Sequence, residues 1–533
     1  MRIQHPKWWH GAIIYQIYPR SFFDSNHDGI GDLQGITEKL PYIADLGVDA
    51  IWISPFLKSP QEDFGYDVSD YYEIDPLFGS LADFDALVQK AHALKLRVLM
   101  DMVLNHTSAQ HPWFIESRKD RSNPKANWYV WASPKPDGSP PNNWLSVFGG
   151  EAWEWDSVRQ QYYFHNFLSS QPDLNFHHPE VLEAMLKVGQ FWLSRGVDGF
   201  RLDTANYYIH DKDLRDNLLR ADHEPSSEGV PPDNPYGRQY HLYDKSRPEN
   251  FFVLKQIRKL MDCYPDTVTI GEVADDHCLV TAANYVKGQE HLHMVYNFRL
   301  LDASSNFSAK FIYDCILELE KHLEDGWPCW SFSNHDVQRV ATRFSHGKPT
   351  DTLSKLLLAL LFSLRGTICL YQGEELGLVE AEVPFEKMQD PYGLRFYPVF
   401  KGRDGCRTPM PWTKEGGFSN AAPWLPLYLP HLMQSVSIQE HHPDSVLQFC
   451  KQFLRWRKSQ AALLYGDIHD LRFEGNILMF ERNHESQQIA LAFNLGEEEK
   501  RIEQKGDVKI LKGHEFLFKC TSKSSLLGLI KHA

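Results

Sequence analysis

The sequence predicts an α/β chain: a (β/α)8 barrel, a subdomain inserted after the third strand, and a C-terminal antiparallel β domain. Three observations predict it. Short apolar runs alternate with amphipathic helical segments as far as about residue 461. Asp203, Glu272 and Asp336 each stand at the end of such a run, in DGFRLD, TVTIGE and CWSFSNHD. From residue 462 the pattern changes to short alternating runs such as NILMFER and QQIALAFNL. Carboxylates delivered one per strand end meet in a single cleft only if the strands run side by side in one sense. A TIM barrel does this, with its chemistry at the carboxyl ends of the strands.

The eight β-like runs are IIYQIY (13–18), AIWISP (50–55), RVLMDMV (97–103), GFRLD (199–203), TVTIGE (267–272), HMVYNF (293–298), PCWSFS (328–333) and TICLYQG (367–373). ITEKLPYIADLG precedes the second, FDALVQKAHALKL the third, HPEVLEAMLKVGQFWLSRG the fourth and DTLSKLLLALLFSLRG the eighth. Strand and helix in alternation indicate parallel β/α units. Residues 107–176 hold six of the fifteen Trp and are too long for a bare loop, so they read as an inserted subdomain. The stretches 204–250 and 374–430 are two further loop-rich excursions on the same face. The domain plan is therefore a barrel over 1–106 and 177–461, a subdomain over 107–176 and a β domain over 462–533.

The net charge of −15 argues against nucleic acid or an anionic membrane as the main partner, since both reward clustered Lys and Arg. The eight cysteines (263, 278, 315, 329, 369, 406, 450, 520) are scattered with no CxxC pair, which suits free thiols in a reducing compartment. No signal peptide is recognisable at the N-terminus, and no stretch reaches the roughly 18 to 20 apolar residues of a membrane span. A soluble, cytoplasmic protein is expected.

Taken singly, each carboxylate has a plain structural reading. Asp203 could pair with Arg201, Glu272 could neighbour a helix cap, and Asp336 could sit in a turn. Three of them at three strand ends point to chemistry. Glycoside cleavage passes through an oxocarbenium-like transition state, and a retaining enzyme needs an ionised nucleophile beside a protonated acid. Arg201 lies two residues before Asp203 on the same strand face, so it favours an ionised Asp203. Glu272, without such a partner, is left as the acid/base.

DMVLNH, GFRLD, GE and SNHD, in this order and spacing, resemble the four sequence regions of the α-amylase superfamily of glycoside hydrolases. QPDLN (171–175) resembles the further region of its oligo-1,6-glucosidase and α-glucosidase branch. WWHGAIIYQIYPRSF and FGYDVSDY extend the likeness over almost the whole chain. The resemblance implies that Asp203 is the nucleophile, Glu272 the acid/base and Asp336 the carboxylate that stabilises the transition state. It implies that His106, Arg201 and His335 bind the sugar in the innermost subsite. It implies that Asp63 and Tyr66 hold the non-reducing end and that Arg403 closes the pocket beside Asp63. Phe148, Phe167 and Gln171 are placed at the pocket mouth, though core packing is the plain reading of the two rings. A pocket closed at one end admits a chain terminus, so exo-action is expected.

Residues 24–32, DSNHDGIGD, carry alternating oxygen donors like an EF-hand, but Gly35 stands where that loop needs Glu. The resemblance implies instead a small structural Ca²⁺ or Mg²⁺ site built from Asp24, Asn26, Asp28, the Ile30 carbonyl and Asp32. No cofactor is expected for catalysis. In the resembled branch, Thr at position 204 goes with α-1,4 preference and Val with α-1,6. The expectation is a retaining exo-α-glucosidase acting on α-1,4-linked disaccharides and short maltooligosaccharides, with transglucosylation open to it. Oligo-1,6-glucosidase and trehalose-6-phosphate hydrolase are the alternatives. A non-catalytic amylase-like partner of a transporter is disfavoured by the intact carboxylate trio.

Overall fold

The computed structural model describes residues 6–224, 229–301, 307–345, 347–485, 487–504 and 507–521. Eight strands form one sheet: β1 (Ile13–Ile17), β2 (Ala50–Ile53), β3 (Arg97–Met102), β4 (Gly199–Leu202), β5 (Val268–Gly271), β6 (Met294–Val295), β7 (Cys329–Ser331) and β8 (Thr367–Tyr371). Their spatial order is β6-β5-β4-β3-β2-β1-β8-β7. Every pair is parallel. A single parallel bridge, Tyr296 to Cys329, closes the ring between β6 and β7. β6 is two residues long, which makes this the thinnest seam.

Each predicted run is a strand, shortened mainly at its carboxyl end, where the chain leaves the ladder to face the cavity. Buried parallel strands are apolar on both faces, and period two sorts them. Ile14, Trp52, Leu99, Ile270, Met294, Cys329 and Cys369 pack inside the barrel. Their neighbours Ile13, Tyr15, Ile51, Val98, Met100, Phe200 and Leu202 face the helices. The same parity sends Gln16, Asp101, Arg201, Asp203 and Glu272 inward, one layer above the apolar fill.

The surrounding helices are α1 (Leu33–Leu46), α2 (Leu81–Ala93), α3 (Pro179–Ser194), α4 (Asn250–Asp262), α5 (Cys278–Val286), α6 (Ala309–Leu323), α7 (Asp351–Ser363) and α8 (Val446–Lys458). α1 shows why they form. Asp32 caps its first turn by accepting from the Gly35 N–H. Leu33, Ile36, Leu40 and Ile43 recur at helical spacing and are buried. Gly47, at φ 91°, ends the helix in the left-handed region.

Between β3 and α3, a short helix (Pro112–Ser117) and a three-stranded antiparallel sheet form a unit with its own core of Val130, Trp144, Trp153 and Phe164. The bridges His106–Asp173 and Tyr129–Leu174 tie it back to the barrel. After α8, β9 (Asp467–Glu474), β10 (Ile477–His484), β11 (Gln487–Asn494) and β12 (Phe516–Thr521) make an antiparallel sheet in that order. Phe516 and Phe518 pack it against Phe449, Phe453 and Trp456 of α8.

Seven cysteines are free thiols, all buried except Cys263. The expectation for Cys520 falls outside the described side chains. Among the described residues no helix is long and apolar enough to cross a membrane.

Candidate active site

Register assembles the reacting pair. Ile270 on β5 lies beside Arg201 on β4, and Arg201 lies beside Asp101 on β3. Two residues further on, Asp203 and Glu272 stand next to each other at the top of adjacent strands. Their backbones are still pinned: Asp203 N–H donates to Met102 C=O at 3.1 Å and Glu272 N–H to Leu202 C=O at 3.0 Å.

Arg201 is fully buried and sits beneath both. Its Nη1 donates to Asp203 Oδ1 at 2.6 Å and to Asp101 Oδ1 at 2.9 Å. Its Nη2 lies 2.7 Å from Glu272 Oε1 and 2.9 Å from the Tyr296 hydroxyl. This corrects the expectation that Glu272 lacks a cationic partner. The two roles are separated by other means. Burial pushes the Glu272 carboxyl up to about 8; Arg201 opposes this, while Asp203 and Asp336 add to it. Burial pushes Asp203 only to about 6, held back by Arg201 and by a hydrogen bond donated from Glu272. Near pH 7 the proton of the pair therefore belongs to Glu272, as an acid beside an ionised nucleophile requires. Two carboxyls held by the two nitrogens of one guanidinium form a close pair of the kind a retaining mechanism uses.

Asp336 is the opposite case. Burial alone would raise its pKa, but His335, Arg403 and Arg407 reverse the shift and hold it well below the usual range. Arg407 Nη2 donates to its Oδ1 at 2.9 Å and Arg403 Nη1 at 3.3 Å. His335 Nε2 is 3.2 Å from Oδ2. Gln16 Nε2 lies 2.8 Å from His335 Nδ1, which makes Nδ1 the acceptor and leaves the proton on Nε2. Burial keeps this imidazole neutral by pushing its pKa well down.

The closed end is a chain of polar contacts. Arg403 Nη2 donates to Asp63 Oδ1 at 2.9 Å, and Gln171 Nε2 donates to Asp63 Oδ2 at 3.1 Å. Gln171, expected at the mouth, is fully buried here and also lies 3.3 Å from His106 Nε2. Tyr66 stacks on His335 with ring planes 1° apart, and its hydroxyl reaches His335 Nε2 at 2.6 Å. Burial pushes the His106 imidazole down to about 4, so the ring that faces the cavity is uncharged.

Asp63, Tyr66, His106, Gln171, Asp203, Glu272, Asp336 and Arg403 line one cavity of about 220 Å³. Gln16, Asp101, Arg201, Tyr296, His335 and Arg407 support that lining from behind without forming part of it. Phe148 and Phe167 line it too, 5.8 Å apart, so their rings serve the cavity rather than core packing alone. Thr204 is on the wall, with its hydroxyl donating to Asp203 Oδ2 at 3.3 Å. Its φ is +43°, strained for a β-branched residue. That conformation aims the Thr204 N–H at Glu272 Oε2, 3.0 Å away.

Sequence reasoning missed several members. Asp101 and Tyr296 contact Arg201 from β3 and the end of β6, and inward parity could have found both. Asp390, Tyr392 and Arg407 come from the excursion after β8, which has no periodicity to read. Tyr207, Tyr236 and Lys245, from the excursion after β4, also line the cavity.

The metal-loop residues lie apart from this cavity. Asp24 accepts from the N–H groups of His27 and Gly29, Asn26 from Asp28, and Asp28 from Ile30. Asp32 accepts from Ser25 and from Gly35 as the cap of α1. The donors are hard oxygens, each with a further lone pair, which suits Ca²⁺ or Mg²⁺ chemically. Among the described residues no three acidic, His or Cys side chains are gathered around one point.

Comparison with known proteins agrees with the geometry. The model "Alpha amylase, catalytic domain" matches residues 16–466. A "Probable alpha-glucosidase" of Rhizobium meliloti is 53% identical over 516 residues, covering 96% of this chain and 93% of that one. An "Oligo-1,6-glucosidase" of Heyndrickxia coagulans is 35% identical, covering 94% of each. The crystal structure of an "alpha-glucosyl transfer enzyme, XgtA" superposes with a TM-score of 0.94 at 52% identity, over 97% of this chain and all of that one. With the cleft, the carboxylate trio and these matches in agreement, the chain belongs to the α-amylase family of glycoside hydrolases.

Proposed function

We propose that this protein is a retaining, exo-acting α-glucosidase that cleaves α-1,4 bonds at the non-reducing end of disaccharides and short maltooligosaccharides. One observation carries the reading: a single buried guanidinium bridges Asp203 and Glu272 on the floor of a cavity that the Asp63–Arg403 pair closes. A terminal glucosyl unit fills the closed end, with its hydroxyls on Asp63, Arg403, His106 and Gln171. Asp203 attacks C1 while Glu272 passes its proton to the departing oxygen. The C1–oxygen bond breaks as the Asp203–C1 ester forms. Glu272, now a base, takes a proton from water, whose oxygen displaces Asp203. Asp336, held anionic, faces the positive charge of each transition state.

A sugar hydroxyl can replace the water, which gives transglucosylation. The relative described as a glucosyl transfer enzyme favours a share of this outcome. The Thr204 side chain beside the nucleophile supports α-1,4 over α-1,6 preference. Incubation with p-nitrophenyl α-glucoside, maltose and isomaltose, with the product anomer followed by NMR, tests the assignment. Release of α-glucose, faster from maltose than from isomaltose, is expected. Release of β-glucose, or turnover of none of the three, would overturn it.

The loop at 24–32 takes, in the same reading, a structural Ca²⁺ or Mg²⁺ on Asp24, Asn26, Asp28, the Ile30 carbonyl and Asp32, supported by donor chemistry alone. A cytoplasmic setting is supported by six buried free thiols.

A further inference from the structure

The closed end of the cavity is furnished by Asp63, Gln171 and Arg403. Among the described residues that line the leaving-group half, Lys245 is the one cation. Lys245 lines the cavity, and its side chain is almost wholly buried. Its Nζ donates to the Tyr207 hydroxyl at 3.3 Å and to the Ala274 carbonyl at 3.2 Å. Both contacts are long, and an ammonium has three protons. The rings of Tyr207 and Tyr236 lie 5.1 and 5.6 Å from Nζ. Among the described residues no carboxylate forms an ion pair with it. Burial opposes the charge, and Asp275 and Asp244 stabilise it at longer range. With two long hydrogen bonds for three protons, the ammonium keeps a proton to donate.

Its attachment points say which half it serves. Ala274 follows the acid/base Glu272 by two residues, and Tyr207 follows the nucleophile by four. The proton of Glu272 goes to the departing oxygen, so groups on this side face the departing sugar. The position is also built. Ser246, the next residue, holds φ at +53°. It is fixed there by its N–H to Asn206 C=O and by its hydroxyl to Asp275 Oδ2 at 2.6 Å. Strain of this kind persists only where the surroundings over-determine it.

We propose that Lys245 is a specificity-determining residue of the leaving-group subsite, where its ammonium donates to a hydroxyl of the sugar that departs or that accepts the glucosyl unit. The inference rests on the function proposed above. A neutral hydroxyl suits the site better than a phosphate. Asp275 lines the cavity together with Asp203, Glu272 and Asp336, and this set of carboxyls would repel a dianion; Asp276, which also lines it, is paired with Arg220. A hydroxyl can accept from Lys245 and still donate to a carboxylate.

The test compares two leaving groups in the intact enzyme. Maltose releases glucose, which carries hydroxyls besides the former glycosidic oxygen; phenyl α-glucoside releases phenol, which carries no other. Lys245→Met keeps the length of the side chain and removes its donors. The ratio of kcat/KM for maltose to that for phenyl α-glucoside is expected to fall about 10- to 100-fold, the range of a hydrogen bond to a charged group. An equal loss on both substrates would mark Lys245 as merely structural and overturn the proposal, as would no loss on either. A measurement on the unmodified enzyme is independent of how the variant folds. Maltose analogues deoxygenated one hydroxyl at a time on the reducing-end unit should include one with a comparable loss. If every analogue reacts like maltose, no hydroxyl is read on this side and the proposal is wrong. If unmodified enzyme turns over neither parent substrate, the failure lies instead with the proposed function.

Discussion

Arg201 serves Asp203 and Glu272 at once, with Nη1 2.6 Å from the first and Nη2 2.7 Å from the second. One cation thus lowers the proton affinity of both carboxyls together, against the burial that raises it. Asp203 must be ionised and Glu272 protonated, and their pKa values lie at about 6 and about 8. The plot of kcat/KM against pH should be a bell, rising as Asp203 loses its proton and falling as Glu272 does. Arg201 lowers both values, so Arg201→Gln should move both limbs to higher pH while kcat falls steeply. A bell that keeps its position in the variant would detach Arg201 from the titration.

Glu272→Gln tests the acid role directly. Loss of general acid catalysis costs about 10²–10⁴-fold. The full cost should fall on maltose, whose leaving oxygen needs a proton. p-Nitrophenyl α-glucoside, with a leaving group that departs unassisted, should lose much less in the first step. Pre-steady-state release of nitrophenol separates that step from the second. Equal losses on both substrates would remove Glu272 from the acid role.

Thr204 stores strain next to the nucleophile. A β-branched residue at positive φ costs on the order of 1–3 kcal/mol, and glycine takes that backbone freely. Thr204→Gly should therefore leave the melting temperature at or above that of the unmodified protein. It should also loosen the N–H that Glu272 accepts and the hydroxyl beside Asp203, and so lower kcat. A drop in melting temperature together with unchanged kcat would show that the conformation is held for packing.

The barrel was legible because buried parallel strands are short, apolar and regularly spaced between helices. Parity along β4 put Arg201 and Asp203 on one face. The contact of Arg201 with Glu272 was not legible, because it depends on the register of β4 against β5, which no single strand encodes. Gln171 was placed at the mouth by resemblance, yet it is buried at the closed end. Its depth is fixed by the inserted subdomain folding back through the His106–Asp173 bridge. Lys245, Asp390 and Arg407 reach the site from excursions whose path is set by tertiary contacts, so composition and periodicity gave no signal for them.

The loop at 24–32 offers a binding test that does not depend on catalysis. If it holds a hard divalent cation, a chelator should lower the melting temperature, and Ca²⁺ or Mg²⁺ should restore it in a concentration-dependent way. Asp28→Ala removes an exposed donor and should abolish the response to metal while costing little in its absence. A melting temperature indifferent to chelator and metal would leave residues 24–32 as a turn held by its own N–H contacts.

Glu374, in the turn after β8, is a buried carboxyl that the proposed mechanism does not use. Its Oε2 accepts weakly from the Tyr371 N–H at 3.3 Å, and its Oε1 has no partner. Burial pushes its pKa up to about 8; the Tyr371 N–H opposes this and Glu375 adds to it. The folded chain therefore holds this proton more tightly than the unfolded chain does. Its contribution to stability is complete below the ordinary carboxylic pKa and is lost as pH climbs through about 8. Glu374→Gln keeps the shape and removes the titration. The melting temperatures of variant and unmodified protein should diverge by a few degrees between pH 6 and pH 9, with the variant relatively more stable at the higher value. Curves that stay parallel across that window would mean that Glu374 is already ionised in the fold, with a compensating partner in place of the orphaned oxygen.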